Sequence, residues 1–490
     1  LNEALAMLIP TLPGLLVALP VIGGVALAAI PSPRLAAMLN IALAAAGFAL
    51  ALALAALPFG VNGWLHTDAL NLPLLLLGAL VGLTTACFSA ATLPREGFTP
   101  VTGRAFHAAF QIFLGAHHLA LLAENLGLTW VAIETATLAS VLMVALHRGR
   151  AAIEAAWKFL ILGGLGIALA LFGTIVLGLA AQPVLGGEAS LSFTALRGVA
   201  AQADGGLLSL AFVFLLVGYG TKAGLVPLHS WLPDAHAEGP VAMSAVLSGL
   251  LLNAALHAIL RAKAVVGLNP ATLSPGALLL GMGLLSLLVA AISLWRRRDA
   301  RRFFAWSSIE HIGLAAIGFG LGGAASVAGM LHLLGHSLVK SAIFFTLGQA
   351  GRRQLAELAG LAPARAWIGW PLVVAMLAIA GLPPFSLFAS EFLLVQQSAA
   401  RLPWLVVPLA IGLLVAALAL LRQVHAIALG PAAPSAEHAP PTAGAVVPAW
   451  LAPWLAMVPV HLHLLLALLL GLALPPALYA MLVEAGRIAG

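Results

Sequence analysis

With 490 residues, 62% hydrophobic and only 8% charged, the chain has a mean hydropathy of +1.09, which excludes a string of soluble domains. Its formal net charge of +6 is no argument for nucleic acid, because no soluble basic domain exists to carry it. A single cysteine, Cys87, excludes a disulfide framework and any cysteine-ligated iron–sulfur cluster within the chain, and neither cofactor nor metal is expected in it.

Instead the sequence breaks into apolar runs of about 18–28 residues, the length that crosses a hydrocarbon core. They are rich in Leu and Ala and lack period-2 alternation, so they predict helices rather than barrel strands. About 14 spans are predicted, centred near Val17, Ala45, Ala79, Phe113, Leu138, Ile167, Phe214, Leu251, Leu284, Leu314, Leu334, Ala378, Leu413 and Leu469. The chain opens on Leu1, and its first run has no basic leader and no A-x-A exit, so it is read as a span. The predicted organisation is three leading spans (1–100), a five-span half (101–265), a second five-span half (266–428), a Pro/Ala-rich linker (429–449) and a C-terminal helix (450–490). The other long polar stretch is 182–206.

Most of the 22 lysines and arginines fall in loops after odd-numbered spans, among them Arg296, Arg297, Arg298, Arg301 and Arg302. Only Arg197, Arg261, Lys263 and Arg401 are assigned to loops after even-numbered spans. This bias predicts odd loops in the cytoplasm and both termini outside, with the protein in a bacterial inner membrane.

Five ionisable residues sit deep inside apolar runs: Glu134, Lys158, Lys222, Lys340 and Glu391. A charge at the bilayer centre costs about 2.5–3.5 kcal/mol on insertion scales, so the default reading of such residues is a proton or ion path. Their order recurs. Lys158 and Lys340 are each followed by Leu-Gly seven and eight residues later. Glu134, Lys158 and Lys222 lead into a Pro-broken span at Pro227, while Glu310, Lys340 and Glu391 frame a second break at Pro383–Pro384. Broken helices at matching positions of two halves point to a transport site. Each interior Pro frees a backbone carbonyl that protein or water must satisfy, which predicts a hydrated pocket beside Lys222.

His332, His336 and Lys340 recur at i, i+4 and i+8, one stripe on one helix. Imidazoles linked by water can pass protons by exchanging hydrogen bonds. His117–His118 and His461-x-His463 lack the i, i+4 spacing of a helix-borne metal pair. His229, Asp234 and His236 cluster after the first break and suit a polar cap or gate better than a metal site.

Roughly residues 100–430 resemble the antiporter-like membrane subunits of respiratory complex I, membrane-bound hydrogenases and Mrp-type cation/proton antiporters. The likeness rests on A-E-N-L-G-L-T-W-V-A-I-E-T-A-T-L-A-S, A-A-W-K-F, G-Y-G-T-K-A-G-L-V-P-L-H-S-W-L-P-D-A-H, H-L-L-G-H-S-L-V-K-S and G-L-P-P-F-S-L-F-A-S-E-F. The wording around Glu124–Ser140 and Ala155–Gly173 looks most like the hydrogenase-4 type subunit. The resemblance implies an all-α polytopic fold with two inverted five-helix repeats, spans 4–8 and 9–13, broken in spans 7 and 12. It implies that Glu134 pairs with a pump lysine, Lys222, with Lys158 modulating the pair. It implies a conduction stripe of His332, His336 and Lys340, and a terminal group at Glu391. Glu124, His229, Asp234, Ser248, His257, Glu310 and His311 are further candidates for a relay or gate. Several relatives carry a histidine where this chain has Ser248, and His257 lies about two turns on.

With no redox site of its own, such a chain implies other antiporter-like membrane subunits and a soluble or peripheral driving arm. Three couplings fit: redox chemistry in partner subunits, Na+/H+ exchange in an Mrp-like assembly, or proton entry powering an inorganic-carbon uptake complex. The lysines and histidines favour H+ over Na+, because cations repel a cation.

Overall fold

The computed structural model describes residues 11–431 and 446–490. Most of the linker predicted over 429–449 therefore lies outside the described residues. Helices α1 (Leu12–Ala29) and α2 (Pro33–Ala55) lead to a hairpin, β1 (Gly60–Asn62) antiparallel to β2 (Leu65–Thr67), with Val61 opposite His66. Then come α3 (Leu72–Thr92), α4 (Pro100–Leu122), α5 (Leu126–Ala145), α6 (Arg150–Ala189), α7 (Phe193–Val199), α8 (Gly205–Ala223) and α9 (Trp231–Glu238). Helix α10 (Val241–Val266) carries a π-helical turn at Leu247–Leu251. The second half comprises α11 (Pro275–Leu294), α12 (Ala300–Leu321), α13 (Ala324–Ala350), α14 (Leu361–Ala364), α15 (Ala366–Ile379), α16 (Ser386–Arg401) and α17 (Val406–Leu429), followed by α18 (Ala452–Leu472) and α19 (Pro476–Ala489).

Among the described residues, 13 helices are long and apolar enough to cross a membrane. The crossing predicted near Ala378 is shared by α15 and α16, which are about 21 and 24 Å long and span only together. The chain is thus a multi-pass membrane protein, and its two interrupted crossings, α8–α9 and α15–α16, are the fourth of each five-span series. An odd number of crossings per series turns the second series over relative to the first.

Local sequence sets the helix ends. Asn125 caps α5 through bonds from the Gly127 and Leu128 amides, and Asp204 and Asp299 cap α8 and α12 in the same way. Gly224, at φ +76°, closes α8 in the left-handed region where a side chain would be strained. The polar stretch 182–206, expected as a loop, is partly helical. Val184 and Leu185 prolong α6 to a kink at Gly186, and Ser192 caps α7. The C-terminal helix divides into α18 and α19 around Pro475–Pro476.

Loops after even-numbered spans gather on one face, where His66 meets Glu124 at 3.1 Å and Arg401 donates to the Leu321 carbonyl at 2.8 Å. Loops after odd-numbered spans gather on the other, where Arg301 donates to the Gly239 carbonyl at 2.6 Å and Arg353 to Asp299 at 2.8 Å. Arg261 and Lys263, assigned above to a loop, lie inside α10 and are 1% and 6% exposed. They are held there by Asp68 and by the carbonyl of Ala489. Helices α10 and α13 form the core and are wholly buried across their central stretches, whereas two-thirds of α1, α2 and α17 face outward. Helices α10 and α13 carry His257, Arg261, Lys263, His332, His336 and Lys340, whereas α1 carries no polar side chain, as a lipid-facing surface requires.

Candidate functional site

The first break puts Lys222 near the end of α8, fully buried, with its Nζ 3.6 Å from a carboxylate oxygen of Glu134 on α5. Lys222 also lies 5.7 Å above the ring of Phe159 from α6, which stacks on Trp231 of α9 at 4.1 Å. Space for the ammonium comes from Gly163, where a Cβ would fall 2.7 Å from Nζ. The interruption is satisfied by protein groups. Trp231 donates its indole N–H to the Thr221 carbonyl at 2.8 Å, and Ser286 accepts from the Val226 amide at 2.9 Å. The Thr221 carbonyl and the Val226 amide at the break are thus bonded within the protein.

Lys158, read from sequence as a buried partner of this pair, points elsewhere. Its side chain is 47% exposed and joins Glu154 at 2.7 Å and Asp234 at 3.1 Å. The reason is rotation. Lys158 lies five residues before Gly163, about 140° around the helix from the face that meets Lys222. Asp234 also binds Arg302 at 3.1 Å, and His229 stays near the surface with its ring edge-on to Trp306, so these two tie α9 to its neighbours.

The second half forms a hydrogen-bonded line. His311 Nδ1 of α12 meets His332 Nε2 of α13 at 3.0 Å, and His332 Nδ1 meets Ser390 Oγ of α16 at 2.9 Å. At one end, His311 Nε2 lies 3.7 Å from Glu310. At the other, Glu391 follows Ser390, and its ligand atom falls within 4.8 Å of those of His311 and His332. Three such groups could hold a cation, but the direct imidazole–imidazole bond makes proton sharing the better description. Gly381 leaves room for Glu391 and turns the break with φ +70°; a Cβ there would overlap the carboxylate. His336 stacks obliquely on His311 at 5.4 Å, with both ring nitrogens lacking a protein partner.

Lys340, fully buried, donates to the Phe304 carbonyl at 2.7 Å instead of to a carboxylate. Ser308 donates to that same carbonyl and touches Ser248 of α10 at 2.7 Å, so Ser248 reaches Lys340 through one hydroxyl and one carbonyl. Among the described residues no direct hydrogen bond joins the Glu134–Lys222 pair to the Lys340 cluster. Leu232, Leu252 and Ile309 crowd Gly224 between them, so proton passage there requires water to enter.

Sequence reasoning passed over Ser390 and Ser308, and it read His236 only as part of a polar cap or gate with His229 and Asp234. His236 is buried against Phe344 at 4.9 Å with both nitrogens unpartnered. Its place opposite α13 is a tertiary fact that its clustering with His229 and Asp234 in sequence does not encode. Glu124 and His257 lie away from the pair. Glu124 is bound by His66, Ser192 and Thr194 on the even-loop face, and His257 sits in α10 among Arg261, Asp68 and His117.

A membrane bundle with a buried Lys–Glu pair at one broken helix and a histidine line at another defines a class, and the comparisons agree. The chain belongs to the NADH:quinone oxidoreductase/Mrp antiporter transmembrane family, whose profile matches residues 123–417 and so takes in both the pair and the line. The hydrogenase-4 component F homolog of Methylacidiphilum infernorum is 46% identical over 421 residues, 84% of this chain and 88% of that one. NADH-quinone oxidoreductase subunit N of Desulforudis audaxviator is 30% identical over 380 residues, 71% and 74% of the two chains. A chain of respiratory complex I from Thermus thermophilus with bound aureothin matches with TM-score 0.75 at 26% identity, covering 93% of this chain and 98% of that one. A chain of the Mrp complex from Dietzia sp. matches at TM-score 0.80 and 22% identity over 98% and 97%, a likeness of fold alone.

Proposed function

We propose that this chain moves protons across a bacterial inner membrane as one subunit of a multi-subunit complex, coupled to redox chemistry in partner subunits. The observation that carries this reading is the buried Lys222 ammonium, 3.6 Å from Glu134, set apart from a hydrogen-bonded His311–His332–Ser390 line with the Glu391 carboxylate beside it. While the pair is closed, Glu134 stabilises the charged Lys222. Two unit charges about 4 Å apart attract by about 4 kcal/mol at an effective dielectric near 20. Moving one charge against 100 mV costs about 2.3 kcal/mol. Separating the pair, at the expense of the partner reaction, removes a stabilisation of Lys222 larger than that, so the proton is driven onward. The proton crosses the Leu232–Leu252–Ile309 region when water enters, reaches Lys340 and the histidines, and leaves by Glu391. Loops after odd-numbered spans face the cytoplasm. Iron–sulfur clusters would sit in other chains, since the single Cys87 cannot ligate one. The likeness to a hydrogenase-4 component supports the redox coupling.

The test is to purify the complex through a tag on this chain, identify the chains that stay bound, and follow proton movement in proteoliposomes with and without Na+. Proton movement that needs an electron donor and ignores Na+ is the expected result. Exchange that needs Na+ and no donor would replace this reading with Na+/H+ antiport.

A further inference from the structure

Helix α10 carries a second polar stripe that the scheme above leaves unused. Asn253, His257 and Arg261 recur every four residues on one face of a helix with no outward surface along its centre. Buried polar groups in a membrane core are costly, and each needs a partner or water. At its outer end, Arg261 is 1% exposed, bonded to Asp68 at 2.5 Å and covered by the Phe193 ring at 4.4 Å, while its Nε and Nη2 have no protein partner. Asp68 lies 3.9 Å from His66, and His66 reaches Glu124 on the even-loop face. One turn inward, both ring nitrogens of His257 lack a protein partner. One turn further, Asn253 donates to Ser337 Oγ of α13 at 2.8 Å, and Ser337 lies one turn from both Leu333 and Ser341 on the helix that bears Lys340.

An imidazole with two free nitrogens, a guanidinium with two free donors and a carboxamide in line are the lining of a water thread. An apolar core would have filled these positions with leucine, as it did elsewhere on α10. We propose that the Arg261–His257–Asn253 stripe is a second water-filled proton route, opening on the even-loop face and joining the central line at Ser337, with the Asp68–Arg261 pair as its gate. A proton accepted at one nitrogen of His257 leaves from the other. The Asp68–Arg261 bond closes the mouth when formed. Only the identity of what moves along the route rests on the proton reading; the route itself is a claim about water access.

Water access is measurable without transport. In a Cys87→Ser background, His257→Cys and Ser337→Cys are each exposed to Ag+ from either side of native membranes, and the thiol left unblocked is counted after denaturation. Trp64→Cys, at an 80% exposed position of the hairpin, marks the even-loop side. Ala255→Cys, on the opposite side of α10, is the buried control. The expected result is silver reaction at His257→Cys and Ser337→Cys at least 10-fold faster than at Ala255→Cys, from the Trp64 side, and several-fold faster again with Arg261→Ala. Rates equal to the Ala255→Cys control, or access from the opposite side only, overturn the route. Ser337→Cys changes one atom, so the question is answered even where His257→Cys fails to assemble. Proton pumping lost with silver access intact would count against the transport reading and leave the route standing.

Discussion

The two broken helices use the same device, a proline-interrupted span beside a buried lysine, and give it different partners. At the first, Lys222 faces a carboxylate across 3.6 Å and has no hydrogen bond shorter than that. At the second, Lys340 is bonded to a backbone carbonyl, and the carboxylates Glu310 and Glu391 lie beside the hydrogen-bonded His311–His332 pair. On the proposed reading the first acts as a switch, because the energy of a charge pair changes steeply with separation, and the second as a wire, because His311, His332 and Ser390 already share hydrogen bonds. The crowded apolar residues around Gly224 keep the two apart until water enters.

The largest expected effect strikes the switch. Glu134→Gln leaves Lys222 without its counter-charge and should lower donor-driven proton movement at least 100-fold, while the complex is recovered in normal yield by tag purification. A variant that still pumps at a tenth of wild type or more would break the distinction. Cutting the wire should cost somewhat less, about 10- to 100-fold, because water can replace a missing ring. His332→Leu removes the contacts to both His311 and Ser390, whereas Ser390→Ala removes one, so proton rates should fall in that order. Gly163→Ala tests the seat of the switch, since its new Cβ would press on the ammonium. A several-fold slower rate with unchanged thermal stability is expected; an unchanged rate would mean that the position of Lys222 is not critical.

Lys158→Ala sharpens the comparison from the other side. The side chain is half exposed and its ion pairs are of the surface kind, so a change below about 2-fold in rate is expected. The smallest effect concerns Glu124, outside the spans. Burial pushes its carboxyl up, but the bonds from His66, Thr194 and Ser192 outweigh that and hold it at about 2, down from 4.5. A lowered carboxyl stabilises the fold above its unfolded value and ceases to do so as pH falls toward its folded one. The melting temperature of wild type should therefore exceed that of Glu124→Gln by a constant margin above about pH 5, and the margin should shrink from pH 4.5 downward. A margin that grows on acidification would contradict the bonding at Glu124.

What the sequence revealed, and what it hid, follows from the range of each signal. Span length, the two proline breaks and the helical spacing of His332–His336–Lys340 are local patterns, and all three are found in the fold. Lys158 misled because residues deep in an apolar run are read as buried, whereas the rotation of α6 decides which face meets Lys222. Arg261 and Lys263 misled in the opposite sense. Two cations near a helix end look like a loop, and only Asp68 from another loop and the end of α19 make their burial affordable. His311 became a link in the wire through a contact 21 residues away in sequence, which no periodicity encodes.

The most direct test of the central claim compares Lys222→Ala with His336→Ala in the same proteoliposomes, following proton movement after a single addition of electron donor. The account predicts that Lys222→Ala abolishes the signal, whereas His336→Ala, which has a ring contact and no hydrogen bond in the line, slows it and leaves its extent unchanged. Full proton movement in Lys222→Ala would contradict the account, because the switch would then not be the Glu134–Lys222 pair.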